Sequence, residues 1–205
     1  MSSVSSMQIP LFPLSSVVLP GGLMPLRIFE RRYIDMVRGC FREESGFGVC
    51  LVKEGGEVGD AAMPYPYGTL TRIIDWDQDE SGLLLIVAQG QQKFRIVDTQ
   101  VDDGNLLHGN VELLPLESSQ PVPAEYRFLQ EAMQQILEQV EGSIDYPEHQ
   151  LEDALWLGSR FVELLPLSAE LRHELLSLDQ PLERLAALAD MFTTIARHNT
   201  EGNSN

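Results

Sequence analysis

Between Ile9 and Glu30 the apolar positions come in short runs, Leu11-Phe12, Val17-Val18-Leu19 and Leu23-Met24 among them, cut by prolines at Pro10, Pro13, Pro20 and Pro25. Proline fixes φ and removes a backbone donor, so this spacing excludes a helix and predicts short extended pieces joined by sharp turns. Residues 47–52 form a short apolar run ended by Glu54-Gly55-Gly56; residues 69–74 are β-branched and partly alternating; residues 83–88 read as a buried strand. The polar stretch 75–82 closes on Gly82, which makes a β-hairpin the simplest assembly of its flanks. Residues 94–97 and 106–114 add strands on either side of an Asp102-Asp103-Gly104-Asn105 turn. One helix interrupts the series over 31–41, where Tyr33, Ile34, Val37 and Phe41 share a face at helical spacing.

After Glu117 the period changes. Residues 118–123, Ser-Ser-Gln-Pro-Val-Pro, read as a short linker, and Pro123 suits the first turn of a following helix. Tyr126, Leu129, Met133, Ile136, Leu137 and Val140 form one helical stripe. Leu151, Leu155, Phe161, Val162 and Leu165 form a second, ended by Pro166. Ser168 and Asp179 are expected N-caps of two more helices, the last carrying Leu182, Leu185, Leu188, Ala189 and Phe192. The pattern predicts an α+β protein: a β-rich domain over 8–117, the linker at 118–123, a C-terminal α-helical bundle over 124–198, and flexible tails at 1–7 and 199–205.

Composition narrows the class. A chain of 205 residues buries roughly 70% of its unfolded surface, enough for one large or two small cores without staples. An apolar fraction of 43% and a charged fraction of 22% are ordinary for a globular protein. No stretch nears the roughly 18 apolar residues of a membrane span, and residues 1–6 lack the basic and apolar regions of a signal peptide, so no membrane association is expected and the cytoplasm is the expected compartment. Cys40 and Cys50 are expected as reduced thiols, with no neighbouring His or CxxC spacing to activate them.

The formal charge is −17, with −7 carried through Glu117 and −10 beyond it. Both halves repel phosphate, and Arg31-Arg32 is the one local basic pair, so DNA is excluded as the expected partner and RNA is disfavoured.

Candidate chemistry is sparse. No G-x-x-x-x-G-K-[ST] occurs, and the glycine-rich stretch 55–60 is acidic where a phosphate cradle needs lysine. Asp75, Asp77 and Asp79 alternate like calcium ligands, but Glu80 and Ile86 stand where an EF-hand loop requires Gly and Glu, which leaves a solvated turn. His108, His149, His173 and His198 show no metal-ligand spacing, and no nucleophile elbow occurs; a Ser-His-Asp site assembled from distant segments stays open. No catalytic, metal or cofactor-binding residue is therefore expected. The segment Met63-Pro64-Tyr65-Pro66-Tyr67 reads as a stiff amphipathic loop that loses little entropy on contact, which suits protein recognition through Met63, Tyr65 and Tyr67. The competing reading packs both tyrosines back onto the barrel, since aromatic rings usually bury. Leu23 and Met24 form a second apolar contact candidate with the same alternative. Arg31 and Arg32 are expected to cap or solvate their helix, and Trp156 and Phe161 to be core.

Several separated motifs resemble the amino-terminal, substrate-binding domain of Lon proteases. Pro20-Gly21, Pro25-Leu26-Arg27-Ile28-Phe29-Glu30 and Arg32-Tyr33 match the family's opening; Gly68-Thr69-Leu70-Thr71-Arg72-Ile73 and Gln89-Gly90-Gln91-Gln92-Lys93-Phe94-Arg95-Ile96 are similar to its strands, with Lys93 in place of the usual arginine. Leu164-Leu165-Pro166-Leu167-Ser168, Leu175-Leu176 and Glu183-Arg184-Leu185 resemble its helical part, where Arg172-His173 replaces a Lys-Gln pair. The resemblance covers roughly residues 8–197 and implies a PUA-like β pseudo-barrel followed by helices. It also implies a free-standing, non-catalytic module without the ATPase and Ser-Lys protease modules of full Lon enzymes. Its partners would be unfolded or tagged polypeptides and an ATP-dependent protease for which it serves as adaptor or regulator. A small-ligand or RNA-binding PUA-like domain is the alternative, followed by a hydrolase with a dispersed site.

Overall fold

The computed structural model describes residues 6–57, 59, 62–140, 142, 146 and 148–202, with side chains through Thr194. Strands β1 (Ser6–Leu14) and β2 (Leu23–Ile28) precede helix α1 (Arg31–Glu43) and strands β3 (Phe47–Glu54), β4 (Met63–Gln78), β5 (Leu84–Val101) and β6 (Leu107–Leu113). A 3-10 turn at Ala124–Tyr126 then leads into α2 (Arg127–Val140), α3 (Ala154–Leu164), α4 (Ala169–Ser177) and α5 (Pro181–Gly202). No described helix is long and apolar enough to cross a membrane.

The strands form one mixed sheet in the order β2-β5-β4-β3-β1-β6, and a further β5–β6 pairing closes β5, β4, β3, β1 and β6 into a ring. β1 and β3 run parallel because β2 and α1 cross between them, and the other pairings are antiparallel. β2 lies outside the ring, on the first half of β5.

Two sequence expectations change here. Residues 83–88 and 94–97 are not separate strands but parts of the single 18-residue β5. The polar run Gln89 to Lys93 hides this continuity, because ladder hydrogen bonds from β4 and from β2 or β6 hold the backbone whatever the side chains are. Residues 63–67 are likewise not a loop but the start of β4, paired across β-bulges with Val52 and Glu54. A bulged ladder tolerates Pro64 and Pro66 because it does not require every N–H. At Gly90 the turn after β1 comes so close that a Cβ would lie 2.1 Å from the Leu19 carbonyl oxygen. Gly90 N–H donates to the Gly22 carbonyl and Gly21 N–H donates to the Gly90 carbonyl, both at 2.9 Å.

Three apolar clusters result. Ile9, Leu11, Cys50, Phe94, Leu107 and Val111 fill the ring. α1 covers a second cluster with Tyr33, Met36, Val37 and Cys40 against Phe12, Ile28, Phe47 and Ile86; the Tyr33 ring stacks on Phe12 at 3.9 Å. The third joins Leu129, Met133, Leu157, Phe161, Leu175, Leu185 and Leu188 of the helices to Val17, Leu19 and Leu51 of the strand region, so the helices and the ring share a core. Trp156 and Phe161 are both buried within it.

Residues 118–123 run extended against the start of α3. Pro121 bridges Asp153, Val122 N–H donates to the Glu152 carbonyl and Ala154 N–H to the Gln120 carbonyl. Asp153 caps α3 by accepting from Leu155 N–H at 3.0 Å, and Ser168 caps α4 by accepting from Leu171 N–H at 3.3 Å. Asp179 stands before Pro181, and its carboxylate lies 3.5 Å from Lys93 Nζ. α5 stays helical through Gly202, so the expected tail from 199 begins inside it; residues 1–5 and 203–205 lie outside the described residues.

Candidate functional site

Two buried ionic clusters seat the helices on the ring and thereby fix its outer surface. In the first, Lys93 of β5 reaches Glu117 at 2.6 Å, while Arg184 of α5 grips the same carboxylate through both terminal nitrogens at 2.7 and 2.8 Å. Lys93 Nζ also donates to the Leu176 and Leu178 carbonyls, and Arg184 to those of Leu175 and Leu178. Burial pushes the Lys93 ammonium down, opposed by Glu117. Burial also favours the neutral Glu117 carboxyl, but the Arg184 and Lys93 contacts outweigh it and hold the group below its ordinary value.

In the second cluster, Arg160 of α3 pairs with Glu163 at 2.7 Å, and Glu163 accepts from Leu19 N–H at 2.6 Å and from the Tyr146 hydroxyl at 3.2 Å. A Cβ at Gly22 would lie 2.1 Å from Glu163 Oε1, so glycine is what lets this turn meet α3. Burial pushes Glu163 up despite Arg160. Neither cluster was legible in the sequence, since Lys93 and Glu163 look like any surface charge until distant segments enclose them.

The nominated contact residues are dispersed. Tyr65 and Tyr67 are half-buried and face α4, their rings 4.5 and 5.7 Å from the His173 ring. Burial lowers the His173 pKa. Leu23 packs on the helical core, Met24 is buried in the cluster under α1, and Met63 alone of the five is exposed, at 54%. Arg32 is buried rather than solvated, donating to the Asn105 carbonyl at 3.0 Å and pairing with Glu30, because the 102–106 turn folds over α1. Arg31 is exposed and pairs with Asp35.

An uncovered apolar feature surrounds Trp76, which is 61% exposed. Beyond the ring, β2, β5 and the end of β4 form a three-stranded arm with Pro25, Val87 and Asp75 in one register row and Arg27, Leu85 and Asp77 in the next. Side chains alternate across a sheet, so these six share the face opposite α1, whose own side buries Ile28, Ile86 and Ala88. They line an open hollow of about 510 Å³. On the other face Trp76 meets Phe41 edge-on at 6.2 Å, and a groove of about 500 Å³ runs between them past Ile34, Val37 and Leu84. Trp76 belongs to both hollows. The one sequence signal was a tryptophan set among aspartates in a segment that read as a turn.

Asp79 accepts from Ser81 and Leu83 N–H and closes the hairpin; the Ser81 hydroxyl and these amides hold its carboxyl low. His108 bonds Asp102 at 2.9 Å beside a turn. Both cysteines are free and buried, and burial pushes their thiols up. Among the described residues no group of three or more His, Cys, Asp or Glu is placed to hold a metal ion.

Comparison with known proteins gives a consistent answer. The family model described as the ATP-dependent protease La (LON) substrate-binding domain matches residues 8–194. A Lon N-terminal domain protein from Xanthomonas campestris superposes with a TM-score of 0.74 at 38% identity, covering 90% of this chain and 98% of that one. The N-terminal domain of a Mycobacterium avium complex Lon protease shares the fold, with a TM-score of 0.62 at 20% identity over 90% of this chain and 97% of that one. Lon protease 2 of Myxococcus xanthus is 29% identical over 92 residues, 44% of this chain and 11% of that protein. Lon protease of Anaeromyxobacter dehalogenans is 26% identical over 106 residues, 51% of this chain and 12% of that protein. The matched part thus spans about a tenth of these curated relatives.

Proposed function

Because the chain belongs to the family of Lon substrate-binding domains, we propose that it is a polypeptide-binding module that holds unfolded or tagged segments without cutting them and presents them to an ATP-dependent protease. The match over residues 8–194 carries this reading. The five-strand ring with β2 attached outside it supports a PUA-like pseudo-barrel, and the helical layer after it supports a C-terminal bundle. A cytoplasmic location fits the same reading. The uncovered apolar arm around Trp76 supplies contact area, and Met63, with the half-buried Tyr65 and Tyr67 behind it, supplies a second patch. The charge of −17 opposes the RNA-binding alternative.

The test is fluorescence anisotropy of labelled, thiol-blocked, unfolded ribonuclease A titrated with the chain, followed by gel analysis after long incubation. Saturable binding in the micromolar range, about −8 kcal/mol, with the probe left intact is expected. No binding, or cleavage of the probe, overturns the reading.

A further inference from the structure

Resting on the polypeptide-binding reading, we propose that the open face of the β2-β5-β4 arm is the docking surface and that it selects segments in which apolar side chains are flanked by lysine or arginine. Pro25, Leu85 and Val87 give an apolar floor to the hollow of about 510 Å³, and Trp76 stands at its border.

The rim carries the sign of the charge. Asp75 and Asp77 border the hollow, and neither has an ion-pair partner among the described residues. Arg27 stands on the opposite rim, so the border carries two carboxylates against one guanidinium and is net acidic. The same sign holds for the whole chain, whose net charge is −17. A cationic, apolar segment complements that arrangement, whereas a second copy of the chain would be repelled.

The arm's edges explain why the segment lies across the face instead of adding as a strand. On β4 the N–H groups of Trp76 and Gln78 donate to the Asp75 and Asp77 carboxylates at 2.9 and 2.7 Å, and on β2 Pro25 has no N–H. Both edges are blunted against strand addition, and the face stays open.

The experiment uses the full chain and two labelled twelve-residue peptides. One has leucine and phenylalanine spaced among four lysines; its twin has glutamate at those four positions. Anisotropy at low salt is expected to show the lysine peptide binding about tenfold tighter, the scale of two exposed ion pairs, with the difference shrinking at 0.3 M salt. The Asp75→Asn/Asp77→Asn variant is expected to lose the preference, and Val87→Ser to weaken both peptides, with circular dichroism unchanged in each. Equal binding of the twins, or variants that bind like the parent, overturns the proposal; so does self-association in sedimentation that Val87→Ser abolishes. Unfolded ribonuclease A separates the two failures. If parent and variants bind it equally, recognition stands and this location falls; if the parent does not bind it, the underlying reading falls with the proposal.

Discussion

Lys93 Nζ lies 2.6 Å from Glu117 Oε1, with the two side chains 2% and 3% exposed. The pair joins the strand ring to the segment leading into the helices, and Arg184 completes it from the far end of the chain. Two cations and one carboxylate are tolerable there because four carbonyl contacts and the polar rim of Asp179 satisfy the remaining donors.

Removing the shared carboxylate strands both cations. Glu117→Gln is expected to lower unfolding free energy by about 3–5 kcal/mol, the scale for breaking a buried pair by deleting one partner. Urea denaturation followed by circular dichroism measures it; a midpoint within error of the parent would mean that the pair contributes nothing.

The two buried glutamates act on pH dependence with opposite sign. Glu117 is held below its ordinary value of 4.5, so the folded state releases its proton more readily than the unfolded chain; its contribution is present above 4.5 and is lost as pH falls through the lowered value. Glu163 is raised above 4.5, so its contribution is present below 4.5 and is lost as pH rises through the raised value. Unfolding free energies across a pH series are expected to decline less on the alkaline side of 4.5 in Glu163→Gln than in the parent. Parallel curves there would contradict the assignment.

Gly90→Ala drives a methyl group toward the Leu19 carbonyl, a backbone atom without a flexible end to move aside. Overpacking of this kind costs about 1–3 kcal/mol, a fall in melting temperature of roughly 2–12 °C for a chain of this size. Scanning calorimetry reads it directly. A neutral substitution would show that the 19–22 turn moves away freely.

Of the two tryptophans, Trp156 is 8% and Trp76 61% exposed. In a Trp156→Phe background the remaining emission is expected to be red-shifted and readily quenched by acrylamide. Trp76→Phe is expected to leave blue, protected emission and to change stability by less than about 0.5 kcal/mol. Protected emission from Trp76 would mean that the arm is covered in solution.

Local pattern carried much of the fold. The hairpin across 75–82, the helix after Glu30 and the Ser168 cap follow from neighbours within a few residues, where periodicity and turn chemistry act. The continuity of β5 did not follow, because a polar interval in a strand looks like a break until partners on both sides are known. The candidate surface was less legible still: the Met63 segment stood out by composition, yet its tyrosines meet His173 from α4, more than 100 positions away in the chain.

The order of short strands, the change to a helical period after Glu117, the acid balance and the family resemblance are properties of the sequence by itself, since each depends on residue identity and near spacing. Which charges lie buried, and which tryptophan faces water, were decided by tertiary structure. Burial is set by what the chain brings from far away: Leu178 and Arg184 enclose Lys93, whereas no described element covers the outer side of Trp76.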